Sequence, residues 1–173
     1  CHVPEQGFTQ NELATPVGDE GRGGRRNAPS LYNLAFQRSL FWDGREQSLE
    51  AQVWSPLLAR NEMANPSKEA VLKRLNAIPT YQAAFAENYG QGLTSQTLGL
   101  ALAAYQRALI SGNSAFDRWY FASSQNAHSA AEFGAEATRG FAVFQQQGCH
   151  ACHTLTKENA LFTDGNFYNT GTG

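Results

Sequence analysis

The sequence predicts an all-α protein, and three observations support this fold class. No stretch shows the sustained alternation of apolar and polar residues, rich in β-branched side chains, that marks a half-buried strand. Apolar residues instead recur at intervals of three and four, most clearly between Thr94 and Ser111. Glycine and proline fall between these segments, where helices are expected to begin and end.

The predicted helices of the first half each have a start or stop signal. Residues 46–59 are predicted to be helical, with a proline that disturbs the later part. Ser67 is the N-cap candidate of the next helix, which carries Val71, Leu72 and Leu75 on one face. A further helix is predicted from Pro79 to Tyr89 and is stopped by Gly90 and Gly92.

The strongest helical pattern runs from Thr94 to Ser111 and is expected to end at Gly112. Its predicted core face consists of Leu98, Ala101, Leu102, Tyr105, Ala108 and Leu109. Ser114 is expected to cap the next turn, and residues 129–147 are predicted to form an alanine-rich helix.

Two segments are predicted to be irregular. Residues 14–30 are rich in glycine, with prolines at both ends, and should form a loop. Residues 122–129 form a polar break, which is the candidate domain boundary and contains His128, expected to be exposed. We therefore predict one domain over residues 1–127 and the start of a second over 128–173.

Composition limits the possible functions. The 173 residues suffice for one domain or two small ones, and 42% hydrophobic with 16% charged residues is typical of a globular chain. A net charge of −2 gives no basic excess for nucleic acid. No apolar run approaches the roughly 20 residues of a membrane span.

The strongest chemical signal is Cys149-His150-Ala151-Cys152-His153. This C-x-x-C-H spacing is the attachment signal of c-type haem, because two thiols can add to the two vinyl groups and the histidine can ligate the iron. A redox dithiol or half of a zinc site would also use C-x-x-C, but the histidine that follows favours haem. His150 occupies a free position of the motif and is given no ligand role.

The chain begins with Cys1-His2, which reads as the end of a second motif of this kind. CHVPEQGFT and CHTLTKENALFTDG share Cys-His, a short polar stretch and then Phe-Thr, which is a weak internal repeat. A chance Cys-His start is the alternative. With the repeat, we expect two haem sites, a first cysteine upstream of residue 1 and, because covalent attachment occurs outside the cytoplasm, a periplasmic location.

Several motifs in one order resemble the bacterial di-haem cytochrome c peroxidase and MauG family. They are RNAPSLYN, FWDGR, AYQRALISGNSAFDRW and LFTDGNFYNTG, together with the two Cys-His sites. The resemblance covers residues 1–173. It implies two cytochrome c-like haem domains, the first peroxidatic and the second, for electron entry, incomplete in this chain.

The resemblance implies roles for single residues. Trp42 matches the tryptophan between the haems, and Gln52 and Glu62, ten and twenty residues later, match the distal pair over the peroxide-binding haem. Asn27 matches a residue of a calcium site between the domains. The cofactor-binding residues would be Cys1, His2, Cys149, Cys152 and His153, with His2 and His153 as the proximal iron ligands.

Each assignment has an ordinary alternative. Glu62 could be a solvated loop carboxylate, Gln52 a polar face residue and Trp42 a core tryptophan, as we read Trp54 and Trp119. Asn27 could instead be a turn-forming residue before Pro29. Arg22, Arg25 and Arg26 would either pair with haem propionates or form a solvated basic loop.

The sequence departs from the family pattern in one respect. Many of these peroxidases carry a distal histidine after the first motif, but none occurs here from Val3 to Asn27. We therefore expect the first haem to have an open sixth position in the fully oxidised state. The far ligand of the second iron, a methionine or a tyrosine, is expected beyond Gly173, and Met63 is not assigned to it.

The resulting expectation is a peroxidase that reduces hydrogen peroxide to water. Electrons would come from a small periplasmic donor such as a cytochrome c or a cupredoxin, and a homodimer is one possible assembly. The alternatives are a MauG-like enzyme that oxidises side chains of a partner protein, a di-haem electron-transfer cytochrome without catalysis, and a zinc-binding structural module.

Overall fold

The computed structural model describes residues 1–122, 132–169 and 171. Over these residues the regular structure is helical, and the only β-type pairings are the isolated bridges Val3–Thr9, Val17–Gly23 and Leu40–Glu46. The all-α prediction is confirmed. The chain divides into two compact units, Cys1–Ile110 and Ser111–Gly173, which are described separately.

Seven α-helices are described in these residues. They are α1 (Leu49–Gln52), α2 (Trp54–Leu58), α3 (Lys68–Asn76), α4 (Pro79–Tyr89), α5 (Ser95–Ala108), α6 (Ala115–Tyr120) and α7 (Ala135–Gln146). Short 3-10 turns occur at Pro4–Gln6, Asp19–Gly21, Leu34–Phe36 and Cys149–Ala151. Within the described ranges, no helix is both long and apolar enough to cross a membrane.

The helix predicted over residues 46–59 forms as two short helices. Ser48 caps α1 by accepting a hydrogen bond from the Ala51 amide, and the chain turns at Val53 before α2 begins. Pro56 has no amide hydrogen to donate to the carbonyl four residues earlier, so the helical hydrogen-bond ladder is interrupted where α1 ends. The two helices are separated only by Val53, which keeps right-handed helical dihedral angles, so the predicted disturbance is an interruption of one residue.

The capping predictions for α3, α4 and α6 are confirmed. Ser67 accepts from the Ala70 amide at 3.2 Å, and Ser114 forms a capping box with Asp117. Pro79 begins α4, and Gly90, in the left-handed conformation at φ +70°, ends it. These three helices start or stop where local sequence chemistry requires it.

Helix α5 differs from its prediction at its end and in its buried face. It stops at Ala108 instead of near Gly112, because the chain leaves helical geometry at Leu109 and the Leu109 carbonyl accepts the Asn33 amide at 2.9 Å. Leu98 is buried as predicted, and Ala101, Leu102 and Leu109 are half-buried, but Tyr105 and Ala108 are exposed. The other buried residues of this helix are Thr97, Gly99, Ala103 and Gln106.

The first unit has two apolar clusters, one on each side of α5. The larger contains Val53, Trp54, Val71, Phe85, Leu93 and Leu98, with Leu72 and Leu75 packed against it as predicted. The smaller contains Leu40, Leu49 and Ala103. Trp54 is 7% exposed, so its core assignment is confirmed. Two clusters explain why α5 buries more than one stripe of residues.

Helix α1 lies closely against α5. A Cβ added at Gly99 would lie 3.0 Å from the Glu50 carbonyl oxygen, so the close approach of the two helices depends on that glycine. Arg107 donates two hydrogen bonds to the Glu50 carboxylate, at 2.6 and 3.1 Å. These bonds lower the pKa of Glu50. This contact fixes the position of α1 and of its last residue, Gln52.

The second unit is organised around aromatic rings. Phe116 lies within 6 Å, centroid to centroid, of five rings: Trp119, Tyr120, Phe133, Phe141 and Phe162. Trp119 is half-buried and stacks on Phe133 at 4.4 Å. Of the helix predicted over 129–147, residues 132 and 133 are helical and Gly134, at φ +82°, separates them from α7, while residues 129–131 lie outside the described part of the chain. His128 and the predicted boundary between residues 127 and 128 lie outside the described residues.

Candidate functional site

A cavity of about 490 Å³ lies within the first unit. The loop after residue 14, the segment around Trp42, the end of α1 and the turn after α2 all contribute to its wall. Six residues selected from the sequence line it: Cys1, His2, Asn27, Trp42, Gln52 and Glu62. Residues as far apart in the sequence as Cys1 and Glu62 therefore surround one cavity.

His2 is oriented by a hydrogen bond to the backbone. Its Nδ1 lies 2.8 Å from the Phe8 carbonyl oxygen, which accepts the bond. The Val3 amide donates to the Thr9 carbonyl at 3.0 Å, so the segment closes back on the Cys-His pair. A histidine that donates through Nδ1 keeps Nε2 free as an iron ligand.

The second motif repeats this arrangement. Gly148, in the left-handed conformation at φ +76°, follows the end of α7 and leads into the turn Cys149–Ala151. The Nδ1 atom of His153 lies 3.0 Å from the Phe162 carbonyl oxygen. Thr154 donates through its hydroxyl to the Thr163 carbonyl at 2.6 Å. Both thiols of the motif are exposed.

The two phenylalanines share an unusual backbone conformation. Phe8 has φ +57° and Phe162 has φ +55°, a left-handed geometry that residues other than glycine rarely adopt. In each case the carbonyl accepts the bond from the histidine of the Cys-His pair. The weak sequence repeat is thus also a repeat in backbone conformation and hydrogen bonding.

Trp42 is 58% exposed, so it is not a core tryptophan. Its indole Nε1 donates to the Asn27 carbonyl at 2.7 Å. The neighbouring Asp43 pairs with Arg26 and Arg45, each at 2.9 Å. Desolvation acts to raise the pKa of Asp43, but the hydrogen bonds and charge of the two arginines outweigh it and lower that pKa.

Glu62 lies in a turn that a second loop holds in place. The Glu62 amide donates to the Ala59 carbonyl at 2.9 Å, and the Glu62 carbonyl accepts the Asp19 amide at 2.7 Å. A Cβ at Gly18 would lie 2.3 Å from the Asn61 carbonyl oxygen and 2.7 Å from the Glu62 Cα. Only glycine permits this approach, so Gly18 determines where the Glu62 turn lies.

Asn27 has one partnered and one unpartnered side-chain atom. Its Nδ2 donates to the Gln10 carbonyl at 2.8 Å. Its Oδ1 is buried and, within the described part of the chain, has no hydrogen-bond partner. An orphaned amide oxygen suits a hard cation such as calcium. The described residues contain no group of three or more His, Cys, Asp or Glu side chains placed to hold a metal ion.

The basic residues of the glycine-rich loop divide into two sets. Arg25 and Arg26 line the cavity, as the propionate hypothesis requires, although Arg26 is also paired with Asp43. Arg22 does not line the cavity, because it pairs with Glu20 and donates to the Arg60 carbonyl. Arg45 lines the cavity as well and stacks over Phe41 at 3.5 Å.

Among the cavity residues that were not selected from the sequence are two with polar side chains, Gln106 and Arg45. Gln106 is 8% exposed, and its Nε2 lies 3.4 Å from the Leu102 carbonyl. A glutamine on the inner side of a strongly periodic helix is a signal that could have identified it. Arg45 lies in the same FWDGR motif as Trp42, and its place in that motif is the signal that could have identified it.

The chain is similar to known proteins of one family. Residues 1–125 match the family model described as di-haem cytochrome c peroxidase. The chain is 37% identical over 174 residues to the methylamine utilization protein MauG of Methylorubrum extorquens, covering 99% of this chain and 46% of the relative. It is 31% identical over 153 residues to the cytochrome c peroxidase Ccp of Escherichia coli, covering 88% of this chain and 31% of that protein.

A solved structure shows the same likeness. The chain superposes on the crystal structure of the diheme peroxidase BthA from Burkholderia thailandensis with a TM-score of 0.78 and 28% identity, covering 95% of this chain and 46% of that one. The chain therefore spans less than half the length of these relatives. The fold, the paired Cys-His sites and these matches establish that the chain belongs to the di-haem cytochrome c peroxidase and MauG family.

Proposed function

We propose that this chain is part of a periplasmic di-haem peroxidase that reduces hydrogen peroxide to water. The observation that carries the proposal is the convergence of His2, Gln52 and Glu62 on one cavity. A proximal ligand candidate, an amide and a carboxylate around one space are the groups that peroxide cleavage requires.

The residues present fit covalently bound haem. Cys149 and Cys152 have exposed thiols, and each motif histidine donates through Nδ1, which leaves Nε2 to ligate iron. Cys1 and His2 would hold the first haem, and the second motif the other. When bound, the haems supply iron for peroxide binding and for electron transfer.

Glu62 would move a proton between the two oxygen atoms of peroxide. A carboxylate within hydrogen-bond reach takes the proton from the proximal oxygen and returns it to the departing one. Gln52 would orient the substrate by hydrogen bonding through its side-chain amide. Overall, one peroxide with two electrons and two protons becomes two waters.

Trp42 would act as a relay in electron transfer to the peroxide site. Its hydrogen bond to the Asn27 carbonyl fixes the indole plane at the edge of the cavity. The electrons would come from a small donor, such as a cytochrome c or a cupredoxin. Asn27 would also contribute its unpartnered Oδ1 to a calcium ion.

The test of the acid–base assignment is Glu62→Gln in the full-length holoprotein. The variant should keep its haem absorption spectrum and lose peroxide turnover by roughly a hundredfold or more. Glu87→Gln, an exposed change on α4, is the matched control and should have wild-type turnover. Undiminished turnover in Glu62→Gln would contradict the assignment.

The second candidate is MauG-like oxidation of a partner protein's side chains. Two observations favour it: the 37% identity to a MauG protein and the lack of histidine from Val3 to Asn27. The far ligand of the second iron would separate the two functions, a methionine indicating a peroxidase and a tyrosine a MauG-like enzyme. An electron-transfer cytochrome without catalysis would not need Gln52 and Glu62. A zinc-binding module would be identified by metal analysis that finds zinc and no iron.

A further inference from the structure

A tyrosine and a carboxylate form a close pair in the second unit. The Tyr168 hydroxyl donates to Asp164 Oδ2 at 2.5 Å. The Asn166 amide donates to the other carboxylate oxygen at 2.9 Å, and the Asn166 side chain donates to Oδ2 at 3.1 Å. The phenol is therefore bonded to a carboxylate whose two oxygens both have donors, an arrangement that stabilises the ionised form.

The pair lies next to the haem attachment motif. Asp164 follows directly after Phe162 and Thr163, whose carbonyls accept bonds from His153 and Thr154. The Asp164 hydrogen bond is the main cause that raises the pKa of Tyr168, and the nearby Cys152 adds to that rise. Asp164 therefore belongs to the segment that orients the histidine of the motif.

The first motif has no such pair. Phe8 and Thr9 correspond to Phe162 and Thr163 in the repeat, and the next residue is Gln10 where the second motif has Asp164. The Gln10 carbonyl accepts the Asn27 side chain instead. Because the two motifs share the contact between the histidine and the phenylalanine carbonyl, the Asp164–Tyr168 pair is a feature that distinguishes the second site.

We propose that Tyr168 is a redox-active tyrosine of the second haem site and that Asp164 is the base that receives its proton. The proposal rests on the peroxidase function proposed above, because hydrogen peroxide is the oxidant. Tyr168 is 57% exposed in the described chain, so its ring can also accept an electron from a reductant in solution.

The step balances as proton-coupled electron transfer. Tyr168 loses one electron to the oxidised enzyme, and its hydroxyl proton moves along the 2.5 Å hydrogen bond to the Asp164 carboxylate. The products are a neutral tyrosyl radical and a protonated carboxyl. The small electron donor proposed above then returns one electron to the radical, and the Asp164 carboxyl returns its proton to the phenolic oxygen. Two such cycles pass two donor electrons to the enzyme, which together with two protons from solvent turn one peroxide into two waters.

The test is rapid freeze-quench electron paramagnetic resonance on the full-length ferric holoprotein mixed with hydrogen peroxide, without an electron donor. Ring-deuterated tyrosine identifies the signal as tyrosyl, and peroxide consumption is measured in the same samples. The wild type should show a tyrosyl radical that Tyr168→Phe abolishes. Asp164→Asn should form it roughly a hundredfold more slowly, since a hydrogen-bonded base is lost. Tyr105→Phe, another exposed tyrosine change, should leave the signal intact.

The outcomes separate the two proposals. Peroxide consumption with no tyrosyl radical, or with a radical that persists in Tyr168→Phe, overturns this inference and leaves the peroxidase function standing. An unchanged rate in Asp164→Asn overturns the role of that carboxylate. If no sample consumes peroxide, the proposed function fails and this inference fails with it.

Discussion

The His2 Nδ1 atom lies 2.8 Å from the carbonyl oxygen of Phe8, whose backbone has φ +57°. This bond sets the tautomer of His2, because a carbonyl can only accept. The imidazole is thereby prepared to ligate iron through Nε2 before any haem is attached. The second motif has the same contact between its histidine and a phenylalanine carbonyl. Differences in chemistry between the two sites must therefore come from the surrounding residues.

The first prediction concerns Gly18, which we expect to act as a positioning residue for Glu62. In Gly18→Ala the new methyl group would overlap the Asn61 carbonyl and the Glu62 Cα, so the turn must shift. We expect about 1–3 kcal/mol of destabilisation and a loss of kcat larger than any change in KM. Urea unfolding and steady-state kinetics measure both.

Gly23→Ala is the control for this change. It lies in the same hairpin, and the nearest atom to its added Cβ is a threonine side chain at 4.0 Å. It should leave kcat within experimental error. Equal losses of kcat in Gly18→Ala and Gly23→Ala would show that the hairpin acts through general stability, without a particular role in positioning Glu62.

The second prediction concerns the Arg107–Glu50 pair between α5 and α1. Arg107→Ala should destabilise the protein by about 0.5–1 kcal/mol at pH 7, because both side chains are partly exposed. Since the pKa of Glu50 is lowered from 4.5 in the folded state, the pair's contribution is present above that value and is lost as pH falls below it.

The check is denaturant unfolding of wild type and Arg107→Ala from pH 7 down to pH 3. The difference in free energy of unfolding should begin to shrink below about pH 4.5, where Glu50 of the unfolded chain takes up its proton, and should be lost once the pH falls below the lower pKa of the folded state. Arg74→Ala, an exposed change on α3, should show no such trend. A difference that stays constant with pH would mean that Arg107 acts through packing and not through charge.

The third prediction concerns Trp42. Trp42→Phe keeps an aromatic ring but removes the Nε1 donor that bonds the Asn27 carbonyl. We expect slower electron delivery with unchanged peroxide binding, because the residue serves electron transfer in the proposal. Stopped-flow oxidation of the reduced holoprotein measures the rate. A wild-type rate in this variant would remove Trp42 from the electron path.

The fourth prediction concerns the orphaned Oδ1 of Asn27. Calcium should bind the full-length protein, and Asn27→Ala should weaken that binding, because a buried amide oxygen without a partner is lost. Isothermal titration after chelator treatment measures the affinity. Asn11→Ala, an exposed asparagine in the same region, is the control. Equal affinity in both variants would assign calcium, if it binds, to other ligands.

Much of the fold follows from local chemistry in the sequence. Ser67, Pro79 and Ser114 begin helices as their capping properties require, and Gly90 ends one. The buried face of α5 could not be predicted fully from the sequence. Helical periodicity predicts one apolar face, whereas this helix contributes residues to two apolar clusters. Tyr105, which periodicity placed on the core face, is 57% exposed.

The candidate site was predictable by resemblance and only partly by local pattern. Spacing alone does not show that Glu62 and His2 line one cavity, because their approach depends on long-range contacts. The contact of Gly18 with the Glu62 turn spans more than forty residues, and no local pattern encodes it. The same holds for Gln106, whose burial beside the cavity depends on the packing of α5.

The central claim is that the first haem is open in the oxidised protein and that Glu62 acts there. The most direct measurement is an optical titration of the all-ferric, full-length holoprotein with one equivalent of hydrogen peroxide and no prior reduction. The account predicts an immediate change in the haem absorption bands and loss of a high-spin resonance signal. No spectral change, together with only low-spin haem in the oxidised protein, would contradict it.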